Sequence, residues 1–279
     1  MTIEELKAAF PKHDALAPAE IEAKAEDLGV SKTSMTLGQS FGLSLMAGAF
    51  IAMGAMFFCL VVGDSDLPFA VQRVFGGALF SLGLLLVVVC GAELFTGNTM
   101  IVMTAASKRI SWGAVIKNWI VVFVGNLIGS LVIVGLVFLS GMANMNAGIV
   151  GETMVSVASS KMTPDWITLF AKGIMCNFLV CLAVWIAYAS RSVADKMLGI
   201  LLPIAAFVAC GFEHCVANMF FLPMGLLLAT LGVTPAGIDP STITFAGMLY
   251  NWSATVPGNI VGGALFVGMM YWAIYHKKK

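Results

Sequence analysis

Two stretches carry the residues able to do chemistry. Cys210-Gly-Phe-Glu-His-Cys-Val-Ala-Asn218 and Cys90-Gly-Ala-Glu-Leu-Phe-Thr-Gly-Asn98 share the pattern C-G-x-E-x-x-x-x-N, 120 residues apart. The former holds His214, the one histidine away from the chain ends. A neutral imidazole donates and accepts hydrogen bonds, an imidazolium only donates, and the switch lies near neutral pH. His214 therefore suits holding a small anion or lending it a proton. The plainer reading is a core histidine locked by its neighbour Glu213. Thr96 stands where the second stretch has Val216. Its hydroxyl can serve His214 or an anion, or simply cap the returning half-helix. We read Glu93 and Glu213 as structural, accepting backbone N–H groups freed by a break, with counter-charge to His214 or a lysine as the alternative. Asn98 and Asn218 tie the loops down, and Asn126, Asn177 and Asn259 read as buried amides that cross-link helices.

The elements that position these groups are apolar. The chain has 279 residues, is 59% hydrophobic and 11% charged, and has a mean hydropathy of +0.95. Soluble domains are about 25% charged, so this is an all-α polytopic membrane protein. Lys+Arg and Asp+Glu number 15 each, so no net charge attracts nucleic acid. The runs Met197–Ala209 and Met219–Ala229 flank the histidine stretch. Each falls short of the ~20 apolar residues of a spanning helix, and together they suffice. One crossing is thus interrupted near mid-depth, where ionisable groups mark transport paths.

Along the chain, the expected crossings are Ser40–Val62, Arg73–Cys90, Asn118–Ser140, Trp166–Ser190, the interrupted fifth, and one within Phe245–Tyr275. The second is followed by the break and a short return run, Thr99–Ala106. Gly141–Asp165 reads as a polar loop containing Lys161, and Lys172 as a snorkelling or path-lining charge. Residues 1–34 form an N-terminal segment without the apolar core of a signal peptide, holding a surface helix over Pro18–Asp27 that Gly29 ends. Residues 35–276 form a single transmembrane domain, and 277–279 a short tail. The six cysteines, none in C-x-x-C spacing, read as buried small hydrophobes.

Asn118-Trp119 precedes Gly125-Asn126-Leu-Ile-Gly129, and Asn251-Trp252 precedes Gly258-Asn259-Ile-Val-Gly262 at the same offset. Residues of about 40–140 and 166–275 therefore form two repeats. An odd number of crossings in each makes the second inverted. Six crossings leave both ends on one side. That side holds Lys7, Lys12, Lys24, Lys32, Lys108, Arg109, Lys117, Arg191, Lys196 and Lys277 to Lys279, against Arg73 and Lys161 opposite. The bias places both ends in the cytoplasm and Asp64, Asp66 and Lys161 outside. Inverted repeats with paired broken helices carry transport sites at their interface.

Gly91–Asn98 and Gly211–Met219 resemble the two signature breaks of the formate/nitrite transporter family, and Lys117-Asn-Trp119 and Cys176–Trp185 fit it too. The resemblance covers about residues 18 to 276, and Gly211-Phe-Glu-His214 with Ala217-Asn-Met-Phe220 look most like its bacterial formate channels. It implies an aquaporin-like fold, a homopentamer in lipid with one pore per protomer, and multi-pass placement in a bacterial inner membrane. It implies passage of formate, nitrite, hydrosulfide or similar anions and no cofactor; proton coupling of this passive channel is our own expectation from the chemistry of His214. Thr96 and His214 would form the centre, Leu84 and Val180 a cytoplasmic constriction, and Phe80, Leu94 and Phe207 a periplasmic one. Asn177, Lys161 and Glu213 match supporting positions.

Two other classes fit less well. A water or neutral-solute channel does not need a Glu213/His214 pair, and no Asn-Pro-Ala triplet occurs. An intramembrane enzyme lacks a Gly-x-Ser-x-Gly nucleophile motif, and the sequence shows no metal-ligand cluster.

Overall fold

The computed structural model describes residues 15–63 and 67–276. Expectations on Lys7, Lys12, Asp64, Asp66 and the 277–279 tail lie outside them. Among the described residues the fold is all-α, with five helices long and apolar enough to cross a membrane. These are α2 (Leu37–Val62), α3 (Phe69–Cys90), α4 (Trp112–Leu139), α6 (Trp166–Ala189) and α9 (Phe245–Tyr275). The remaining expected crossing is two shorter helices, α7 (Val193–Ala209) and α8 (Cys215–Thr230), meeting at the histidine stretch. After α3 the chain breaks at Gly91–Leu94, then returns through Phe95–Asn98 and Val102–Ala106.

Helix starts follow local chemistry. Thr36, Ser111, Asp165, Ser192 and Thr244 each accept a backbone N–H from the first turn of the helix they precede. Such caps contribute about 0.5–2 kcal/mol each. Hydrogen bonds from Thr168 hold the Asp165 carboxyl below its ordinary range.

Two sequence expectations fail here. Residues within the supposed loop Gly141–Asp165 form a helix, α5 (Ile149–Met162), whose Val150, Met154, Val155 and Ala158 are buried. Its apolar residues recur at helical spacing, but its serines and glycines masked the pattern. The N-terminal helix α1 (Pro18–Ser34) runs through Gly29 instead of ending there. A methyl at Gly29 would overlap the Thr104 hydroxyl, so this glycine serves close approach and not termination. Nor is α1 merely superficial, since Ile21, Glu22, Ala25 and Glu26 are buried.

α2 packs along α4, and α6 along α9. Both pairs meet at the repeated G-N-x-x-G segments. Methyls at Gly125 and Gly129 would strike Ser44 and Leu45 of α2; at Gly258 and Gly262 they would strike Phe170 and Ile174 of α6. Small residues allow this backbone approach within a membrane. The opposite face of α4 exposes Ile116, Ile120, Val124, Ile128, Val132 and Leu136, an apolar stripe at helical spacing.

Candidate functional site

Each break follows a glycine with positive φ, Gly91 at 77° and Gly211 at 70°, which ends the preceding half-helix. The backbone groups so freed are satisfied by the two repeated asparagines. Asn126 accepts the Phe95 N–H at 2.9 Å and donates to the carbonyls of Ser44 (2.8 Å) and Glu93 (2.9 Å). Asn259 accepts the Cys215 N–H at 2.8 Å and donates to Gly173 and Glu213, both at 2.8 Å. The N–H groups of Glu93 and Glu213 donate to Leu43 and Lys172, one residue before those helix carbonyls. Lys172 thus contributes a carbonyl to the second break, and its side chain is half-buried.

Of the two parts read for the carboxylates, the geometry fits counter-charge to a lysine and not acceptance of freed backbone N–H groups. Glu93 and Glu213 accept side chains, not freed backbone N–H groups. Lys32 donates to Glu93 Oε1 at 2.6 Å and Lys161 to Glu213 Oε1 at 3.0 Å. Asn98 and Asn218 each donate at 2.7 Å to the second carboxylate oxygen and, at 2.9 and 2.8 Å, to Asn118 and Asn251. Each acid is neutralised in place, and Glu213 faces Lys161 instead of His214. Lys161 also lies over the Phe221 ring, 5.3 Å from its centroid. Lys32 is a site residue the sequence did not reveal: nothing in its local pattern shows that α1 folds under the first break. Asn118 and Asn251 belonged to the visible repeat, but their bond to the breaks is tertiary.

His214 and Thr96 meet at the centre. Thr96 Oγ1 lies 2.8 Å from His214 Nε2, and both residues are buried. His214 also caps α8, its Nδ1 accepting the Ala217 N–H at 3.0 Å. That bond leaves the ring proton on Nε2, which donates to Thr96. Asn177 fixes Thr96 from behind, donating to its carbonyl at 3.1 Å and to Thr99 Oγ1 at 3.1 Å. The π-helical segment Val261–Met269 brings Gly263 against this group; a methyl there would overlap Thr99 Oγ1 and Asn177 Nδ2.

Of the apolar candidates, Phe207 lies against His214 and Phe80 against Phe207. Phe80 and Phe207 cross edge to face at 5.7 Å, and the Phe207 ring lies 5.8 Å from that of His214. Leu84 and Leu94 line a cavity of about 250 Å³ with Met35, Glu93, Asn98 and Tyr188. Val180 is buried on α6, one turn beyond Asn177. Four cysteines are buried as expected, but Cys90 and Cys210, each just before a break glycine, are exposed.

Two broken helices sharing a buried polar centre, set among spanning apolar helices, define a polytopic membrane protein of the channel and transporter class. The sequence matches the formate/nitrite transporter family over residues 19–273. It is 40% identical to the formate channel FocA of Escherichia coli K12 over 271 residues, covering 94% of this chain and 95% of that one. It is 34% identical to the formate channel BtFdhC of Bacillus thuringiensis, covering 97% and 98%. A solved structure described as a pentameric formate channel with formate bound superposes with a TM-score of 0.77 at 38% identity, covering 86% and 98%. A second, an ion channel of the same family, gives 0.80 at 30% identity, covering 91% and 98%. The chain belongs to the formate/nitrite transporter family.

Proposed function

We propose that this protein is a formate channel of a bacterial inner membrane, open also to other small monovalent anions, and a homopentamer with one pore per protomer. The carrying observation is the buried Thr96–His214 pair, one hydroxyl and one imidazole beside the Phe207 ring. Similarity to named formate channels and to a pentameric relative supports substrate and assembly. The exposed stripe of α4 suits a neighbouring protomer or lipid.

In this reading the two halves are inverted repeats, supported by the matched hydrogen bonds of Asn126 and Asn259. Thr96 and His214 seat the anion. Leu84 and Val180 narrow the cytoplasmic side, joined there by Leu94, which shares a cavity with Leu84 instead of standing with the phenylalanines as the resemblance implied, and Phe80 and Phe207 narrow the periplasmic side. Asn177 orients Thr96, while Lys161 and Lys32 hold Glu213 and Glu93 so that no bare carboxylate repels the anion. A protonated His214 passes its proton to formate, giving neutral imidazole and formic acid; formic acid gives that proton to water beyond the constriction, and His214 takes a new proton from the side of entry.

Labelled formate flux into liposomes, beside a glycerol control, tests the reading; glycerol flux without formate flux overturns it. Thr96→Ala is expected to lower formate flux about tenfold, since a lost hydrogen bond to a charged ligand costs about 1.5–3 kcal/mol. Unchanged flux at equal protein density would return Thr96 to capping.

Orientation is a separate expectation. α1 and the end of α9 lie together, joined by the Glu26–His276 contact, and positive charge favours the cytoplasm for that end. On a Cys90→Ser, Cys210→Ser background, Ala236→Cys should react with an impermeant thiol reagent in intact cells, and Ala194→Cys should not. The opposite pattern reverses the topology.

A further inference from the structure

Away from the breaks, α1, the return segment and the end of α9 converge on a second polar cluster. Glu22, Glu26 and His276 each direct one ligand atom to a common point, all within 4.8 Å of one another. His276 Nδ1 lies 2.9 Å from Glu26 Oε1 and 3.6 Å from Glu22 Oε1. Glu22 is only 3% exposed, and its Oε1 has no hydrogen-bond partner. A buried carboxylate oxygen without a donor calls for an explanation. Glu26, by contrast, is well served. Ser107 donates to its Oε1, and Arg109 Nη1 approaches Oε2 at 3.4 Å. Arg109 is shared with Asp27, to which Nη2 donates at 2.7 Å, so it does not balance both glutamates.

We propose that Glu22, Glu26 and His276 bind a divalent transition-metal ion of the zinc type. Two carboxylates and one imidazole are a common donor set for such an ion, with water as a fourth ligand. Donors at ~2.0–2.2 Å from a tetrahedral centre stand about 3.5 Å apart, so the observed separations need only small side-chain shifts. The surroundings already orient the ligands. Trp272 stacks on the His276 ring at 5.3 Å and 26°, and its Nε1 donates to Ser107 Oγ at 2.8 Å. Such outer contacts are what hold metal ligands in place. The sequence concealed the set, because His276 is 250 residues from Glu26. Once bound, the ion clamps α1 to the end of α9, and Glu26 links that clamp to the return segment through Ser107.

The test uses the full-length, untagged assembly, stripped with chelator and then exposed to Zn²⁺ and passed through a desalting column. Wild type is expected to retain about one more Zn²⁺ per chain than His276→Ala or Glu22→Gln, and only wild type should gain melting temperature with Zn²⁺. Co²⁺ in place of Zn²⁺ should give visible absorption bands that each substitution removes. Gel filtration shows whether the variants keep the native assembly; Glu22→Gln preserves shape and guards against loss of fold by His276→Ala. Equal retention and equal thermal response in wild type and Glu22→Gln would overturn the proposal, leaving a proton shared between the two carboxyls.

Discussion

His214→Asn is expected to abolish the pH response of formate uptake while leaving the folded assembly intact. A carboxylate loses many kcal/mol of hydration on entering an apolar constriction, whereas neutral formic acid does not. Formate near neutral pH is almost wholly ionised, so in the proposed path, with apolar sides at Phe80/Phe207 and Leu84/Val180, a proton lent at the centre eases passage. His214 is the titratable group bonded to Thr96 at the centre. Its Nδ1 is engaged by the Ala217 N–H, so taking a second proton means releasing that cap. Asparagine is itself a strong N-cap residue, so the substitution keeps the start of α8 while removing the proton carrier. A step limited by one proton tracks proton activity, about tenfold per pH unit at most. Wild-type uptake should rise as external pH falls, and His214→Asn uptake should be flat, with residual anion leak through the amide donor. The measurement is formate flux and lumenal pH in liposomes across a pH series. A mutant that still acidifies the lumen like wild type removes His214 as carrier and leaves it as the anchor of α8.

Asn259→Ala is expected to destabilise the protein more than any other single amide loss except Asn126→Ala. Two buried backbone groups at the break lose their partner together, the Cys215 N–H and the Glu213 carbonyl, and the mid-helix Gly173 carbonyl loses its second donor. Asn259 is fully buried, so water cannot replace it. Each orphaned group costs about 1–3 kcal/mol, and the melting temperature should fall on the order of 10 °C. Asn126→Ala should behave alike, because it serves Phe95, Ser44 and Glu93 in the same way. The exposed Asn144→Ala should melt like wild type. Thermal melting in detergent, followed by gel filtration, decides the matter. If Asn259→Ala melts with wild type, the breaks are held by packing and not by these amides.

Why some of this was visible in the chain and some was not follows from the range of each interaction. Hydrophobic run length and the C-G-x-E-x-x-x-x-N repeat are local, so the five long apolar helices and both breaks could be read directly. The G-N-x-x-G segments showed a repeat, but not that the amide between the glycines reaches the break of its own half. That required α2 against α4 and α6 against α9, at separations that glycine alone permits. α5 was missed because its buried face is short and interspersed with serine, and what stabilises it is packing on α8.

Charge partnership lay further out of reach. Glu213 and His214 are adjacent in sequence, which suggested a pair. In the fold the extended backbone at the break turns consecutive side chains apart, one to Lys161 and one to Thr96. Lys32 meets Glu93 across 61 residues, and Glu26 meets His276 across 250. No local spacing encodes such meetings. That the chain lives in a membrane is a property of composition and run length, and so was already settled there. Which lysine neutralises which carboxylate, and which hydroxyl faces the histidine, depends on helix packing that brings distant residues to within 3 Å, and only the folded molecule contains it.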